Sequence, residues 1–156
     1  MNGLKKQRYC TTWGIIEVRL TDGKVTGCTL PFLVGQPEVP FAVEAAGNDV
    51  VSKFIGAVFQ GLETRVPEIG TLEGTGFQRQ VWQAITAIPA GETKTYGELA
   101  QAIDRPGAVR AVGSACGKNP VPLFIPCHRV VAARGGIGGF TAGLAWKKLL
   151  LAIHGV

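Results

Sequence analysis

The spacing of the apolar residues changes part-way along the chain, and this change is the strongest constraint on the fold. Ile16, Val18 and Leu20 alternate with polar residues, which is the period of a strand that buries one face. From residue 50 onward, apolar residues recur three and four positions apart, as in a helix that packs on one side. A sheet followed by helices predicts an α+β fold.

Turn and breaker residues divide the first half. Asp22-Gly23 follows the alternating run and favours a tight hairpin turn, because glycine tolerates a positive φ. The further elements expected here are a return strand over 25–30, a proline-rich loop over 31–40, a helix over 50–59 that stops near Gly61, and a short strand over 64–69.

Composition and the position of a glycine-rich segment predict two domains. The chain has 156 residues, of which 46% are hydrophobic and 17% charged, values that exclude a disordered chain. No apolar run is long enough for a spanning helix, and the basic residues 1–8 lack the apolar run of a signal peptide. Glycines and threonines over 70–76 predict a linker. We therefore expect an N-terminal α/β structural domain over 1–72 and a C-terminal domain over 73–156.

The second half is predicted to be mostly helical. Apolar spacing predicts one helix over 77–88, and Thr95 with Glu98 forms a capping box for another. A turn over 104–107 leads into a third helix of small residues over 108–116. This order is typical of a helix-turn-helix, although a plain helical hairpin has the same pattern.

All the net charge lies in the same half. Residues 1–72 hold seven bases and seven acids, whereas residues 73–156 hold nine bases and four acids and so carry the whole +5. The last acidic side chain is Asp104. Such one-signed charge favours a polyanionic partner; an ordinary basic surface is the other interpretation.

One cysteine stands beside one of the two histidines. The cysteines at 10, 28, 116 and 127 have no zinc-ligand spacing and too low a density for a disulfide scaffold. The prolines of Asn119-Pro120-Val121-Pro122 end any helix, and an apolar stretch then leads to Cys127-His128. On an extended segment these two side chains point apart. An apolar setting raises a thiol pKa, so a nucleophilic Cys127 needs activation by a histidine or by backbone N–H groups. A buried structural cysteine beside a surface histidine is the alternative.

Several motifs in order make the second half resemble one family. Ile125-Pro126-Cys127-His128-Arg129-Val130 resembles the active-site signature of the O6-alkylguanine-DNA alkyltransferases, which repair DNA. The motifs that accompany it in the same order are 77–82 (FQRQVW), 88–91 (IPAG), 95–100 (TYGELA), 110–113 (RAVG), 119–122 (NPVP) and the glycine-rich 135–143. The resemblance covers roughly residues 73–156, and the first half fits the family's variable N-terminal domain only loosely.

The resemblance implies a fold, a reaction and a partner. The implied fold is a ribonuclease H-like N-terminal domain with an antiparallel sheet, then a winged-helix-like C-terminal domain. The implied reaction is the irreversible, stoichiometric transfer of an alkyl group from guanine O6, and from thymine O4, to Cys127 without metal or organic cofactor. The implied partner is double-stranded DNA containing O6-alkylguanine, bound through its minor groove by a monomer that has no obligate protein partner, no membrane association and a cytoplasmic, nucleoid-associated location.

The resemblance also implies residue roles. Cys127 would be the alkyl acceptor, His128 a base acting through water, Tyr96 a donor to guanine N3 beside the flipped base, and Asn119 the brace of the turn. Arg110 would fill the base stack, and small side chains at Ala108, Ala111, Ser114, Ala115 and Gly117 would allow close approach to DNA. The base pocket would include Pro122, Val130, Phe140 and Thr141. Phe140 stands where tyrosine is usual, and Thr141 where serine is usual, with a hydroxyl for guanine O6. No zinc is expected, because both histidines lie in the second half.

One position departs from the family. A glutamate that orients the active-site histidine is usual where this chain has His154. His128 would then be oriented by His154, by a backbone carbonyl, by the terminal carboxylate of Val156 or by a carboxylate from the first half, and we expect a slower or differently tuned thiol. The competing functions are a non-catalytic binder of alkylated DNA, a helix-turn-helix transcriptional regulator and a cysteine hydrolase.

Overall fold

The N-terminal part is a three-stranded antiparallel sheet. The computed structural model describes residues 3–33 and 49–156. Strands β1 (Leu4–Thr11), β2 (Gly14–Thr21) and β3 (Lys24–Thr29) are ordered β1-β2-β3. Asp22 (φ 51°) and Gly23 (φ 79°) form the predicted hairpin turn between β2 and β3, since two successive positive φ values match the twist of a two-residue hairpin. Strand β1 was not predicted, because Tyr9 is its only buried residue.

Helix α1 (Val50–Phe59) lies as predicted, but the strand predicted after it does not form. Asp49 caps α1 by accepting from the N–H groups of Val51 and Ser52, and the chain leaves the helix at Gly61 with φ 67°. Over 64–69 only Ile69 makes a bridge, to Val25 of β3. Only two backbone hydrogen bonds join this segment to β3 in the described residues: the Val25 N–H donates to the Glu68 carbonyl, and the Gly70 N–H donates to the Val25 carbonyl. Two bonds are too few to form a further strand of the sheet. The loop predicted over 31–40 lies, from residue 34, outside the described residues.

The C-terminal part contains four helices and two short strands. They are α2 (Gly76–Thr86), β4 (Lys94–Thr95), α3 (Tyr96–Ala102), α4 (Val109–Gly117), β5 (Val130–Val131) and α5 (Leu144–Ile153), with a 3-10 turn over Cys127–Arg129. The predicted capping box of Thr95 and Glu98 begins α3, and Thr75 with Gln78 forms another before α2. Helices α3 and α4 are joined by the predicted turn. Helix α5 was not predicted, although Trp146, Leu149, Leu150 and Ile153 have helical spacing.

Aromatic residues join the two parts in one core. Phe54 of α1 stacks on Phe124 with ring centroids 4.8 Å apart. Trp146 of α5 packs on Phe59 and donates its indole N–H to the Pro31 carbonyl at 2.6 Å. The sheet side also reaches the active-site segment, since the Cys28 N–H donates to the Pro120 carbonyl at 3.0 Å.

The structure therefore confirms the α+β class, with the antiparallel sheet first and the helices after it. Within the described ranges, none of the helices combines the length and apolarity that crossing a bilayer requires.

Candidate active site around Cys127

A braced turn delivers Cys127 to the interior. The Asn119 amide donates to the Ile125 carbonyl at 2.9 Å and accepts from the Val121 N–H at 3.0 Å, so one side chain holds both arms of the turn. Leu123 has φ 74°, a conformation that costs a bulky residue energy unless its surroundings enforce it. Buried packing of Leu123 and Phe124 provides that enforcement.

Cys127 begins a 3-10 turn, so the expected extended segment is wrong. Pro126, with ψ 63°, turns the chain, and the Arg129 N–H closes the turn on the Pro126 carbonyl at 2.9 Å. The alternative of a surface histidine is wrong as well, because His128 is only 1% exposed. The turn sends the two neighbouring side chains to different cavities: Cys127 lines one and His128 another.

The Cys127 thiol is buried and protonated at neutral pH. It is 4% exposed, and burial raises its pKa to about 11, against the lowering effects of the Asn119 amide and the Lys147 ammonium. Because a cysteine attacks as the thiolate, Cys127 must lose this proton in order to act as a nucleophile.

Lys147 is a site residue that sequence reasoning missed. It is fully buried, and its ammonium donates to the carbonyls of Val130 at 2.6 Å and Gly139 at 2.9 Å. Burial lowers its pKa, whereas the Cys127 and Cys116 thiols raise it, as expected where a cation favours nearby thiolates. The available signal was a lysine among apolar residues at helical spacing, with Leu144 and Leu150 three positions away.

Cys127 lies in a cavity of about 460 Å³, a size typical of small-molecule sites. The lining residues are Tyr96, Gly113, Cys116, Gly117, Cys127, Gly139, Phe140 and Thr141. The structure thus brings together five of the predicted residues: Cys127, Tyr96, Gly117, Phe140 and Thr141. Pro122 and Val130 are buried and lie outside this lining.

Tyr96 and the glycine-rich loop form one wall of the cavity. The Tyr96 hydroxyl accepts from the Gly139 N–H at 3.2 Å, and burial raises its pKa, so it keeps a proton to donate into the cavity. Gly138 has φ 76°, and a Cβ there would lie 2.6 Å from the Tyr96 oxygen, so glycine is required for this approach.

Two other cavity residues differ from the sequence expectation. The Thr141 hydroxyl donates to the Gly117 carbonyl at 2.6 Å, so its proton is already used in tying the loop to α4. Cys116, which sequence reasoning treated only as a small helix residue, places a second thiol in the cavity. Burial raises the Cys116 pKa to about 12, so this thiol is also protonated.

Helix α4 presents mostly small residues to solvent. Arg110, Ala111, Ser114 and Gly117 are exposed, while Ala108 is half-buried at the helix N-cap. Ala115 does not belong to this face. It is buried, and its carbonyl accepts from the Trp82 indole at 2.8 Å.

Behind Cys127, His128 faces His154. The ring centroids are 5.6 Å apart, and within the described residues none of the four ring nitrogens makes a hydrogen bond of normal geometry. The backbone of Val58 lies near enough to His154 to raise its pKa slightly as a hydrogen-bond partner. Burial is the main cause that lowers the pKa of both imidazoles, and the positive charge of Arg129 is the next. The pKa of His128 is lowered most. No carboxylate in the described part of the chain hydrogen-bonds either ring. Both histidines are therefore neutral at pH 7.

Comparison with known proteins assigns this arrangement. Residues 76–156, about half of the chain, match the family model described as the 6-O-methylguanine DNA methyltransferase, DNA binding domain. The chain belongs to this family. The match begins at the first residue of α2 and includes every residue that lines the Cys127 cavity.

Curated relatives carry a consistent name. A methylated-DNA–protein-cysteine methyltransferase of Mycolicibacterium paratuberculosis is 48% identical over 100 residues, which cover 64% of this chain and 61% of the relative. One of the same name from Salmonella typhimurium is 50% identical over 91 residues, covering 56% and 53%. The matched stretch thus spans less than two thirds of these relatives.

Solved structures of the family extend the likeness to nearly the whole chain. The crystal structure of Mycobacterium tuberculosis OGT in complex with DNA has a TM-score of 0.77 and 32% identity, and the match covers 94% of this chain and 92% of that one. The O6-methylguanine methyltransferase of the same organism has a TM-score of 0.79 and 30% identity, with 97% and 92% covered.

Proposed function

We propose that this chain is a DNA repair methyltransferase that moves an alkyl group from guanine O6, and also from thymine O4, in double-stranded DNA to Sγ of Cys127. The observation that carries the proposal is a buried cysteine thiol in a base-sized cavity, beside the Tyr96 hydroxyl and the Lys147 ammonium. Membership of the family and the names of the relatives support it.

The transfer is one displacement. Sγ attacks the alkyl carbon in line, the S–C bond forms, and the C–O6 bond breaks with its electrons on the purine. The thiol proton passes through water to His128, because His128 makes no direct bond to Cys127. Lys147 stabilises the developing thiolate, and Tyr96 donates to the leaving purine. A thioether is a poor leaving group, so each molecule acts once and needs no cofactor.

We propose that α4 meets the minor groove of the DNA. Its small exposed residues Ala111, Ser114 and Gly117 allow the helix backbone to approach closely, with Ala108 at its start. Arg110 fills the stack after the damaged nucleotide has flipped out, a step that costs a few kcal/mol and least for a weakened base pair. The basic second half supplies phosphate contacts. No obligate protein partner is needed, and the protein would be found with the nucleoid.

A peptide map after reaction tests the proposal. The protein is mixed with a duplex containing O6-methylguanine, digested and analysed by mass spectrometry. The expected result is one methyl on the Cys127 peptide, none in a Cys127→Ser control and none with unmodified duplex. Tight binding of the methylated duplex without any methylated cysteine would instead assign a non-catalytic lesion binder.

A further inference from the structure

Five buried polar atoms behind Cys127 make no hydrogen bond of normal geometry within the described residues. They are both ring nitrogens of His128, both ring nitrogens of His154 and Nε of Arg129. Buried polar groups are normally paired. All three side chains line one cavity of about 700 Å³ between α1, the 62–69 segment and the active-site turn. The clustering of these atoms around one cavity makes it a candidate for a further polar group of the protein or a bound one.

The chemistry of these atoms defines that group. Arg129 Nε–H is a donor, and each neutral imidazole offers one donor and one acceptor. The charges that face His128 are the Arg129 guanidinium, the Lys147 ammonium and the His154 imidazole, and each disfavours a proton on His128. The proposed alkyl transfer places a proton there, so the cavity needs an anion that accepts hydrogen bonds.

Among the residues that the structure describes, Glu63 is the one acidic residue lining the cavity. It follows the Gly61 turn at the end of α1, and its Oε1 accepts from the Ala90 N–H at 3.3 Å. Its charge favours the protonated Arg129. Glu63 is exposed at the rim, and its bond to the Ala90 N–H is at the long end of the hydrogen-bond range. Turning inward would therefore cost this side chain one weak bond.

We propose that a carboxylate completes this cavity and that Glu63 supplies it. The Glu63 carboxylate accepts from Arg129 Nε–H and from one N–H of His154. The other nitrogen of His154 accepts from His128, which leaves the second nitrogen of His128 available for the proton of Cys127. Glu63 is thus a positioning residue that acts through two imidazoles, and this role rests on the proposed alkyl transfer.

A free monocarboxylate has the same chemistry and is the other source to distinguish. The remaining walls of the cavity include Phe54, Val58, Leu62 and Phe124, against which a short aliphatic tail would pack. Propionate is therefore the probe, with chloride as the control for ionic strength.

Single-turnover methylation of Cys127, followed against pH, tests the role of Glu63. Glu63→Gln is expected to slow the reaction about tenfold, the effect of weakening a base by one pKa unit. The acidic limb of the pH profile should move downward, because His128 then loses its own proton at a lower pH. Glu63→Asp should retain part of the rate. Glu68→Gln is the matched control, because it removes the same charge from the same segment. The native Glu68 carboxylate pairs with Lys24 at 2.6 Å and does not line the cavity. In a His154→Glu background the carboxylate is built in, and Glu63→Gln should then change nothing.

Propionate separates the two sources. It should restore the rate of Glu63→Gln but hardly change that of the native protein. Equal rates and pH profiles for Glu63→Gln and Glu68→Gln would overturn the proposal. Acceleration of the native protein by propionate, with Glu63→Gln unchanged, would contradict Glu63 as the source.

Imidazole NMR provides a readout that needs no substrate. The chain has two histidines, so both can be followed individually. Glu63→Gln should shift the His154 and His128 ring signals, and propionate should reverse the shift. Unchanged ring signals would contradict the proposal even if Cys127 is methylated. Shifted signals without methylation would contradict only the proposed function.

Discussion

At the scale of single residues, the site depends on how Cys127 loses its proton. Cys127 and its apolar setting were predicted from the sequence, but the ammonium beside the thiol was not. Burial raises the pKa of the thiol, and the one ammonium that opposes this comes from α5, twenty positions along the chain. A sequence shows that Lys147 is charged; only packing shows that it points inward and touches the Cys127 cavity wall.

Lys147→Met should slow alkyl transfer and move its pH dependence upward. Lys147 lowers the pKa of Cys127, so its removal raises that pKa and leaves less thiolate at any given pH. The carbonyls of Val130 and Gly139 also lose their donor, which should cost about 1–3 kcal/mol of unfolding free energy. Single-turnover rates against pH and urea unfolding measure the two effects.

The neighbouring lysine is the control. Lys148 is exposed on the same helix, and Lys148→Met should leave the pH profile in place. An equal shift in both variants would mean that Lys147 acts only through the overall charge of the protein.

The four thiols should differ in their reactivity toward iodoacetamide. Cys10 is exposed, while Cys28, Cys116 and Cys127 are buried, and burial raises the pKa of each buried thiol to about 12, 12 and 11 respectively. Peptide mapping at pH 7 should therefore find Cys10 modified first. Preferential modification of Cys127 would show that its thiolate is already formed in the free protein, against the proton transfer described above.

At the scale of helices and strands, elements marked by a turn or capping motif were predicted correctly, whereas strand β1 and helix α5, which no such motif marks, were missed. The Asp22-Gly23 turn and the Thr95 capping box each depend on residues close together in the sequence. The β2–β3 hairpin and helix α3 accordingly formed as predicted. Strand β1 was missed because its pairing with β2 comes from across the hairpin rather than from an apolar pattern of its own. The 3-10 turn at Cys127 depends on Asn119, whose two bonds join atoms that are distant along the loop.

Asn119→Ala should destabilise the protein by about 1–3 kcal/mol, because the Val121 N–H is left buried without its partner. The Ile125 carbonyl loses one of two donors and keeps the Cys127 N–H at 2.8 Å. The loss should appear as a lower urea midpoint. Lys118→Ala, at the adjacent exposed position, should have little effect. If both variants unfold at the same urea concentration as the native chain, the turn is held by its apolar packing rather than by Asn119.

At the scale of the whole molecule, the two predicted domains share one core. We propose the boundary at residues 72 and 73, but aromatic contacts cross it: Phe54 stacks on Phe124, and Trp146 bonds to Pro31. The two halves also meet around the cavity that holds Glu63 and His128. The sequence predicted the halves from their composition and periodicity, whereas their mutual packing depends on contacts that no local pattern contains.

Residues 73–156 produced alone should be less stable than the full chain. Phe124 and Trp146 would be exposed, and burying a side chain of this size contributes roughly 1.5–3 kcal/mol. Urea unfolding followed by tryptophan fluorescence should show an earlier transition. A midpoint equal to that of the full chain would mean that the C-terminal part is energetically independent.

The central claim is that Cys127 accepts one alkyl group and is then spent. Its most direct test is a titration of the protein with a growing excess of duplex whose O6-methylguanine carries a labelled methyl group. We expect protein-bound label to reach a plateau at one methyl per molecule, all of it on Cys127, with no labelled product released to solution. Release of label beyond one equivalent would contradict it by showing turnover, and absence of protein-bound label would contradict it by showing that Cys127 is not an acceptor.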